Sequence, residues 1–262
     1  MNSTYSELKQ KTVNETLNSV LIQYFPYPRE ICLNIKTIDS LLCKYSFEDK
    51  IDIVLLPEMA LTGYIFDTQS DIEPYLEIYN NGETYNFCSA ISQRLNCYVF
   101  CGYPEKTVDK SNDSVYYNSC MITDRQGKAL PSYRKHFLYE MDKTWCIEGN
   151  EFGYLEIETR NGTEVKLGIG ICMDLNPCEF KAPWEAMEFS TFCLEKNVDV
   201  ILFLNNWLDN EPEMKTKREV LHMINYWIMR LQPFLENELD KDVHFLAANR
   251  CGKERDTNFI GC

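Results

Sequence analysis

Three runs of apolar, largely β-branched residues constrain the fold of this chain more than anything else in it: "IDIVLLP" (51–57), "EVKLGIGIC" (164–172) and "VDVILFL" (198–204). None alternates apolar with polar residues as a half-exposed strand does. A short, continuous apolar run reads as a strand with both faces covered, the pattern of a parallel sheet flanked by helices. Pro57 ends the first of these runs, because a proline cannot donate to the ladder.

Longer amphipathic stretches separate the strands. "SVLIQYF" (19–25) reads as a further strand, followed by a Pro-punctuated turn and a helix in "EICLNIKTIDSLLCKY", whose Ile31, Leu33, Ile35, Ile38, Leu41 and Leu42 approximate one face. The spacing predicts a helix over 84–95, then strands in "CYVFCGY" and "VYYNSCMITD", the latter closed by the turn "RQGK". A helix is expected in "WEAMEFSTFCLEK", and a charged connection or helix start in "DNEPEMKTKRE" (209–219). A helix interrupted by Pro233 follows in "VLHMINYWIMRLQPFLENEL", and a last strand in "VHFLAANR" (243–250). Alternating β and α units of this kind predict a layered α/β sandwich. Residues 1–18 read as a polar lead-in and 19–262 as one domain, with no internal repeat.

Charge and cysteine content narrow the function. A formal charge of −14 argues against nucleic acid or an anionic membrane as partner, since both require clustered Lys and Arg. No stretch reaches the ~18 apolar residues of a membrane span, and "MNSTYSELKQKTVNETLN" has no apolar signal-peptide core. The twelve cysteines then read as reduced thiols of a cytoplasmic protein. A metal is not expected. There is no C-x-x-C pair, and Cys97 and Cys101, at i and i+4 of a strand, stand roughly 13 Å apart. His136, His222 and His244 have no ligand spacing, and no cofactor motif is present.

Three chemically capable residues stand at or near strand ends, where layered α/β folds form their clefts. Glu58 follows "IDIVLLP", Lys135 lies in "PSYRKHFLY", and Cys172 closes "KLGIGI". Each alone has an ordinary reading: helix-start carboxylate, surface charge, core filler. Together they offer a thiol nucleophile, a carboxylate to take its proton and an ammonium to stabilise the thiolate. With only three histidines, a Cys–His couple is poorly supplied.

"LLPEMALTGY", "YRKHFLY", "GIGICMDL" and "AANRCGKERDTNFIGC" together resemble the carbon–nitrogen hydrolase (nitrilase) superfamily, whose triad is Glu, Lys and Cys in that chain order. The resemblance runs from about residue 19 to the end. It implies a four-layer α-β-β-α sandwich, usually dimerised into eight layers. Glu58 is then the general base, Cys172 the nucleophile, and Lys135 with the backbone N–H of Met173 the oxyanion donors. A further acid a few positions past the lysine is common in the family, and both Glu140 and Asp142 are available. Members usually continue beyond the point corresponding to Cys262. Either the sequence is truncated or the sandwich lacks its last strands, with edges for a partner chain to cover.

Within the superfamily, "SYRKHFLYE", "GIGICMDLNPCEFKAPWEAMEFSTFC", "NNWL" and "NYWIMRLQPFL" are most similar to the fungal-type amidases that deamidate protein N-termini. That branch implies conversion of N-terminal Asn or Gln to Asp or Glu through a Cys thioester, with loss of ammonia, feeding N-degron degradation. Asn176 stands where many small-substrate members carry an Arg, which disfavours substrates held by a carboxylate. A peptide N-terminus is cationic, so Asp174 and Glu179 are candidate partners for it, with Tyr64 lining the wall. Asp174 has a second reading, as the acceptor that holds the Cys172 loop. Two alternatives stay open: an amidase of free ω-amides, and an inactive scaffold on the same fold.

Overall fold

The structure, a computed structural model, describes residues 16–209, 217–236 and 241–261. Most of the polar lead-in and the middle of the charged connection 209–219 lie outside the described residues.

Two sheets form the centre. The first holds β1 (Ser19–Leu21), β2 (Ile53–Leu55), β3 (Glu77–Ile78), β4 (Tyr98–Val108), β5 (Ser114–Thr123) and β6 (Ala129–Arg134). Its order is β1-β2-β4-β5-β6, with β3 beside the far end of β4. The pairs β1–β2 and β2–β4 are parallel, while β4–β5 and β5–β6 are antiparallel. The second sheet holds β7 (Gly153–Glu158), β8 (Glu164–Ile171), β9 (Val200–Asn205) and β10 (His244–Asn249) in the order β10-β9-β8-β7, antiparallel only at β7. A hairpin of β11 (Cys251–Glu254) and β12 (Thr257–Ile260) follows.

Helices cover the outer faces: α1 (Ile31–Leu42) and α3 (Glu83–Leu95) on the first sheet, α4 (Glu188–Glu195) and α5 (Lys217–Arg230) on the second. The short α2 (Gln69–Ile72) and α6 (Gln232–Glu236) complete the set among the described residues. The layers are therefore α-β-β-α, and the continuous apolar runs follow from them. Side chains alternate along a strand. Val54 and Leu56 point into the helix-covered core, whereas Ile53 and Leu55 point into the core between the sheets. In β9, Leu202 and Leu204 face the other sheet while Ile201 and Phe203 face α4 and α5.

The glycines of "KLGIGIC" have the same origin. Leu167, Ile169 and Ile171 fill the inter-sheet core. A Cβ on Gly168 would meet Cys193 Sγ at 2.7 Å, and one on Gly170 would meet Phe189 Cζ at 2.7 Å. Glycine at these two positions lets α4 lie directly on β8.

Several boundaries differ from the sequence expectation. The strand expected over 19–25 is only Ser19–Leu21, because the following residues leave the ladder toward Pro26 and Pro28. β4 runs on to Val108, and β6 and β7 carry no strong apolar signal of their own. The helix break falls at Leu231, two residues before Pro233, which sits in the first turn of α6 where no N–H bond is lost. α4 starts at Glu188 because Met187 is left-handed, at φ 47°.

Candidate active site

Three strand-end turns converge. After β2 and Pro57 the chain turns sharply at Glu58 and Met59, the latter at φ 48°. Ala60 N–H donates to the Gly102 carbonyl at 2.9 Å, and Gly102 N–H to the Pro57 carbonyl at 3.1 Å. Only glycine fits at 102, since a Cβ there would lie 2.5 Å from Glu58 Cα. Lys135 follows β6, its N–H donating to the Asn118 carbonyl and its carbonyl accepting from Gly149, both at 2.8 Å. Cys172 ends β8 with φ 44° and opens a single 3-10 turn, Cys172–Leu175. A non-glycine residue held in this region costs about 1–3 kcal/mol, which the packed β8 strand on one side and the Asp174 bonds on the other sustain.

The structure brings Glu58, Lys135 and Asp142 into one buried cluster, each at most 1% exposed. Lys135 Nζ donates to Glu58 Oε1 at 2.7 Å and to Asp142 Oδ2 at 2.6 Å. Asn118 Nδ2 bridges the same two carboxylates, at 2.7 Å to Glu58 Oε1 and 3.0 Å to Asp142 Oδ1. Tyr139 N–H adds a bond to Asp142 Oδ2 at 2.9 Å. Glu58 Oε2 is left without a partner. Lys135 has used two of its three N–H groups on carboxylates, leaving one donor for a ligand. Glu140, the other candidate acid, is exposed and outside the cluster.

The electrostatics change one expectation. From sequence, an ammonium beside Cys172 lowers its thiol pKa. In the structure the thiol is pushed well above its usual value, first by burial and then by the Glu58 charge, with Lys135 only partly offsetting them. Two carboxyl groups flank the one ammonium. Burial and the neighbouring carboxylate thus favour the neutral thiol of Cys172 over its thiolate. Burial also raises Glu58, more than Lys135 lowers it, which suits a carboxylate that must accept a proton. Burial lowers Lys135, but Asp142 and Glu58 outweigh it and hold the ammonium charged.

Asp174 and Glu179 do not reach this cluster as substrate ligands. Asp174 is fully buried; it accepts from Tyr133 Oη at 2.6 Å and from the N–H groups of Ile171 (2.7 Å), Phe137 (2.8 Å) and His136 (3.2 Å). These bonds tie the Cys172 turn to the segment after Lys135. Glu179 is exposed, pairs with Lys143 at 2.6 Å and Lys181 at 2.9 Å, and is lowered to about 2 by those two lysines. Tyr64 is 2% exposed, and the Lys135 ammonium lies 5.9 Å from its ring centre. Glu254 of the final hairpin fixes the Tyr64 loop by accepting from Tyr64 N–H and Ile65 N–H at 3.0 Å each and pairing with Arg250 at 2.5 Å.

A pocket of about 400 Å³ opens at Cys172. Tyr64, Tyr139, Met173, Asn176, Asn206, Trp207, Asp209 and Tyr226 are among its walls. Asn176 Oδ1 accepts from Tyr226 Oη at 2.6 Å, and no Lys or Arg is among the described residues that line the pocket. Among the described residues no group of three or more His, Cys, Asp or Glu is placed to hold a metal, and no helix is long and apolar enough to cross a membrane.

Two polar residues of the site were missed from sequence, Asn118 and Asn206. Both interrupt otherwise apolar strands or strand ends, "VYYNSCMIT" and "ILFLNNWL". Asn is depleted in buried strands, and that depletion was the available signal.

This sandwich, with a buried carboxylate and ammonium and a half-buried thiol at its strand ends, has the make-up of a hydrolase. The sequence pattern of the family described as "Carbon-nitrogen hydrolase" matches residues 20–187. The chain belongs to that family of enzymes, whose members hydrolyse carbon–nitrogen bonds such as those of linear amides. It is 33% identical over 256 residues to the "Protein N-terminal amidase" of Schizosaccharomyces pombe, covering 92% of this chain and 87% of that protein. It is 34% identical over 224 residues to the protein of the same description from Saccharomyces cerevisiae, covering 79% of this chain but only 48% of that protein. Among solved structures, an N-terminal amidase with a Gln-Val peptide superposes with a TM-score of 0.66 at 32% identity, over 84% of this chain and 54% of the other.

Proposed function

We propose that this chain is a protein N-terminal amidase, converting an N-terminal Asn or Gln to Asp or Glu with release of ammonia. The observation that carries the reading is identity of about one third across nearly the whole chain to such an amidase, with the Glu58–Lys135–Cys172 set intact. The lack of Lys and Arg among the described residues that line the pocket supports it, because those residues offer no fixed cation for the carboxylate of a small free amide.

In the mechanism proposed, Cys172 Sγ attacks the side-chain amide carbon while Glu58 Oε2, the unpartnered oxygen, takes the thiol proton. The surroundings favour the neutral thiol, so attack and proton transfer are coupled. The new oxyanion accepts from the third N–H of Lys135 and from the backbone N–H of Met173. One such donor is worth about 3–4 kcal/mol of barrier. The carbon–nitrogen bond then breaks, Glu58 returns the proton to the departing nitrogen, and ammonia leaves a thioester on Cys172. Water attacks that carbon with Glu58 again as base. The carbon–sulfur bond breaks, the proton returns to Sγ, and the carboxylic acid is released. Asp142 and Asn118 position Lys135 and Glu58. The eleven cysteines among the described residues are all unpaired, which supports a reducing compartment such as the cytoplasm and, there, a supply of substrate to N-degron degradation.

Ammonia release from an Asn-peptide, its N-acetylated form and free amides tests the specificity. The Asn-peptide is expected to be the preferred substrate, and activity that survives N-acetylation overturns the N-terminal reading.

A further inference from the structure

Asn206 is 1% exposed, and neither Nδ2 nor Oδ1 of its carboxamide has a partner among the described residues. Leaving a buried donor or acceptor unmet costs about 1–3 kcal/mol, so an amide with both ends unmet needs a reason. Its place supplies one. Asn206 follows β9, lines the Cys172 pocket, and directs its own backbone N–H at the Cys172 sulfur. The neighbouring backbone is pinned: Trp207 N–H donates to Asn249 Oδ1 at 3.0 Å, and Ile260 N–H to the Trp207 carbonyl at 3.1 Å. The unmet amide is therefore held on a fixed loop beside the nucleophile. It shares with Glu58 Oε2 the condition of a buried polar atom at this site with no partner.

We propose that the Asn206 carboxamide grips the backbone of the substrate's first residue, its Oδ1 accepting from the α-ammonium and its Nδ2 donating to the first peptide carbonyl. The assignment rests on the N-terminal amidase reading and names how the free N-terminus is recognised. The scissile amide is the weaker partner. Its oxygen is claimed by Lys135 and the Met173 N–H, so it offers Asn206 only N–H donors and leaves Nδ2 unmet. The backbone of an N-terminal residue offers a donor and an acceptor on one α-carbon, which meets both ends of a carboxamide at once.

The test is steady-state kinetics of the full chain with an Asn-initiated peptide and its des-amino counterpart, which begins with a succinamoyl group. Asn206→Leu keeps the side-chain size and removes both bonding ends; Asn206→Asp keeps an acceptor and removes the donor. With the Asn-peptide, Asn206→Leu is expected to lose about 10- to 100-fold in kcat/KM, the range for bonds to a charged group, mostly through KM. With the succinamoyl peptide, which keeps the first peptide carbonyl but has no ammonium, the same variant is expected to lose only the bond from Nδ2 and to fall about 2- to 10-fold below wild type, the range for a neutral bond. Asn206→Asp is expected to lie between wild type and Asn206→Leu on the Asn-peptide. Equal losses on both peptides, or a loss confined to kcat, overturn the assignment. A wild-type chain that releases no ammonia from the Asn-peptide but does so from free amides overturns the N-terminal amidase reading itself, a distinguishable result.

Discussion

The Lys135 ammonium lies 2.6 Å from Asp142 Oδ2, as close as it is to the oxygen of Glu58 at 2.7 Å. The lysine therefore stands between two carboxylates in a buried site, and its charge is more than balanced. Burial and the Glu58 charge both raise the Cys172 thiol, and Lys135 offsets them only in part.

Removing Glu58 separates nucleophilicity from turnover. Glu58→Gln is expected to abolish ammonia release, as is Cys172→Ala, because no other group takes the thiol proton. Yet the Glu58 charge is one of the causes that raise Cys172, so the pH midpoint of iodoacetamide alkylation of Cys172 is expected to move down in Glu58→Gln. Substantial turnover in either folded variant, or an alkylation profile that moves upward, contradicts the assignment of the base.

Asp142→Asn keeps the shape but removes the second charge from Lys135. Lys135 then pairs with Glu58 alone, and kcat is expected to fall about 10- to 100-fold, the cost of a misplaced catalytic geometry. Glu140→Gln, on an exposed side chain, is the control and is expected to stay within about two-fold of wild type, as surface changes usually do. Equal effects of the two substitutions count against Asp142 as the positioning acid.

Asp174→Asn places an amide N–H₂ where four donors converge. At least one of the bonds from Ile171, Phe137, His136 and Tyr133 is lost, and each bond to a charged acceptor is worth about 1.5–3 kcal/mol. A lower melting temperature and an equal fall of turnover and thiol alkylation are expected. A rise in KM for Asn-peptides alone, with stability unchanged, favours a substrate contact instead.

The buried thiols set an alkaline limit to stability. Burial pushes Cys97 up to about 12, from 9.0 in an unfolded chain. Below pH 9 both states hold the proton and full stability is present. As pH rises from 9 toward 12 the unfolded chain releases it and the folded one does not, so stability is lost at about 1.4 kcal/mol per pH unit for each such thiol. Urea midpoints at pH 8 and pH 10 check this, and Cys97→Ala is expected to flatten the slope. An unchanged slope in that variant excludes Cys97 as a contributor.

What was legible in the sequence follows a simple physical rule. The runs "IDIVLLP", "KLGIGIC" and "VDVILFL" identify strands covered on both faces, because a strand with a wet face cannot be apolar throughout. Glu58 and Cys172 stood out at the ends of such strands, whereas Lys135, which follows β6, stood out only through its motif. β6 and β7 were not legible, since they are short and partly wet, and neither were the two-residue β3 and the final hairpin.

By itself, the sequence determined the layers, the order of the chemical groups and the neutral side chain at position 176. Only the tertiary structure decided the direction in which the Cys172 thiol is shifted, the choice of Asp142 over Glu140 as the acid at the lysine, and the engagement of Asp174 in holding the Cys172 turn. The physical reason is that burial and electrostatic coupling depend on distances between groups far apart in the chain. Glu58 and Lys135 are 77 residues apart yet 2.7 Å from contact atom to contact atom. No local pattern encodes that distance.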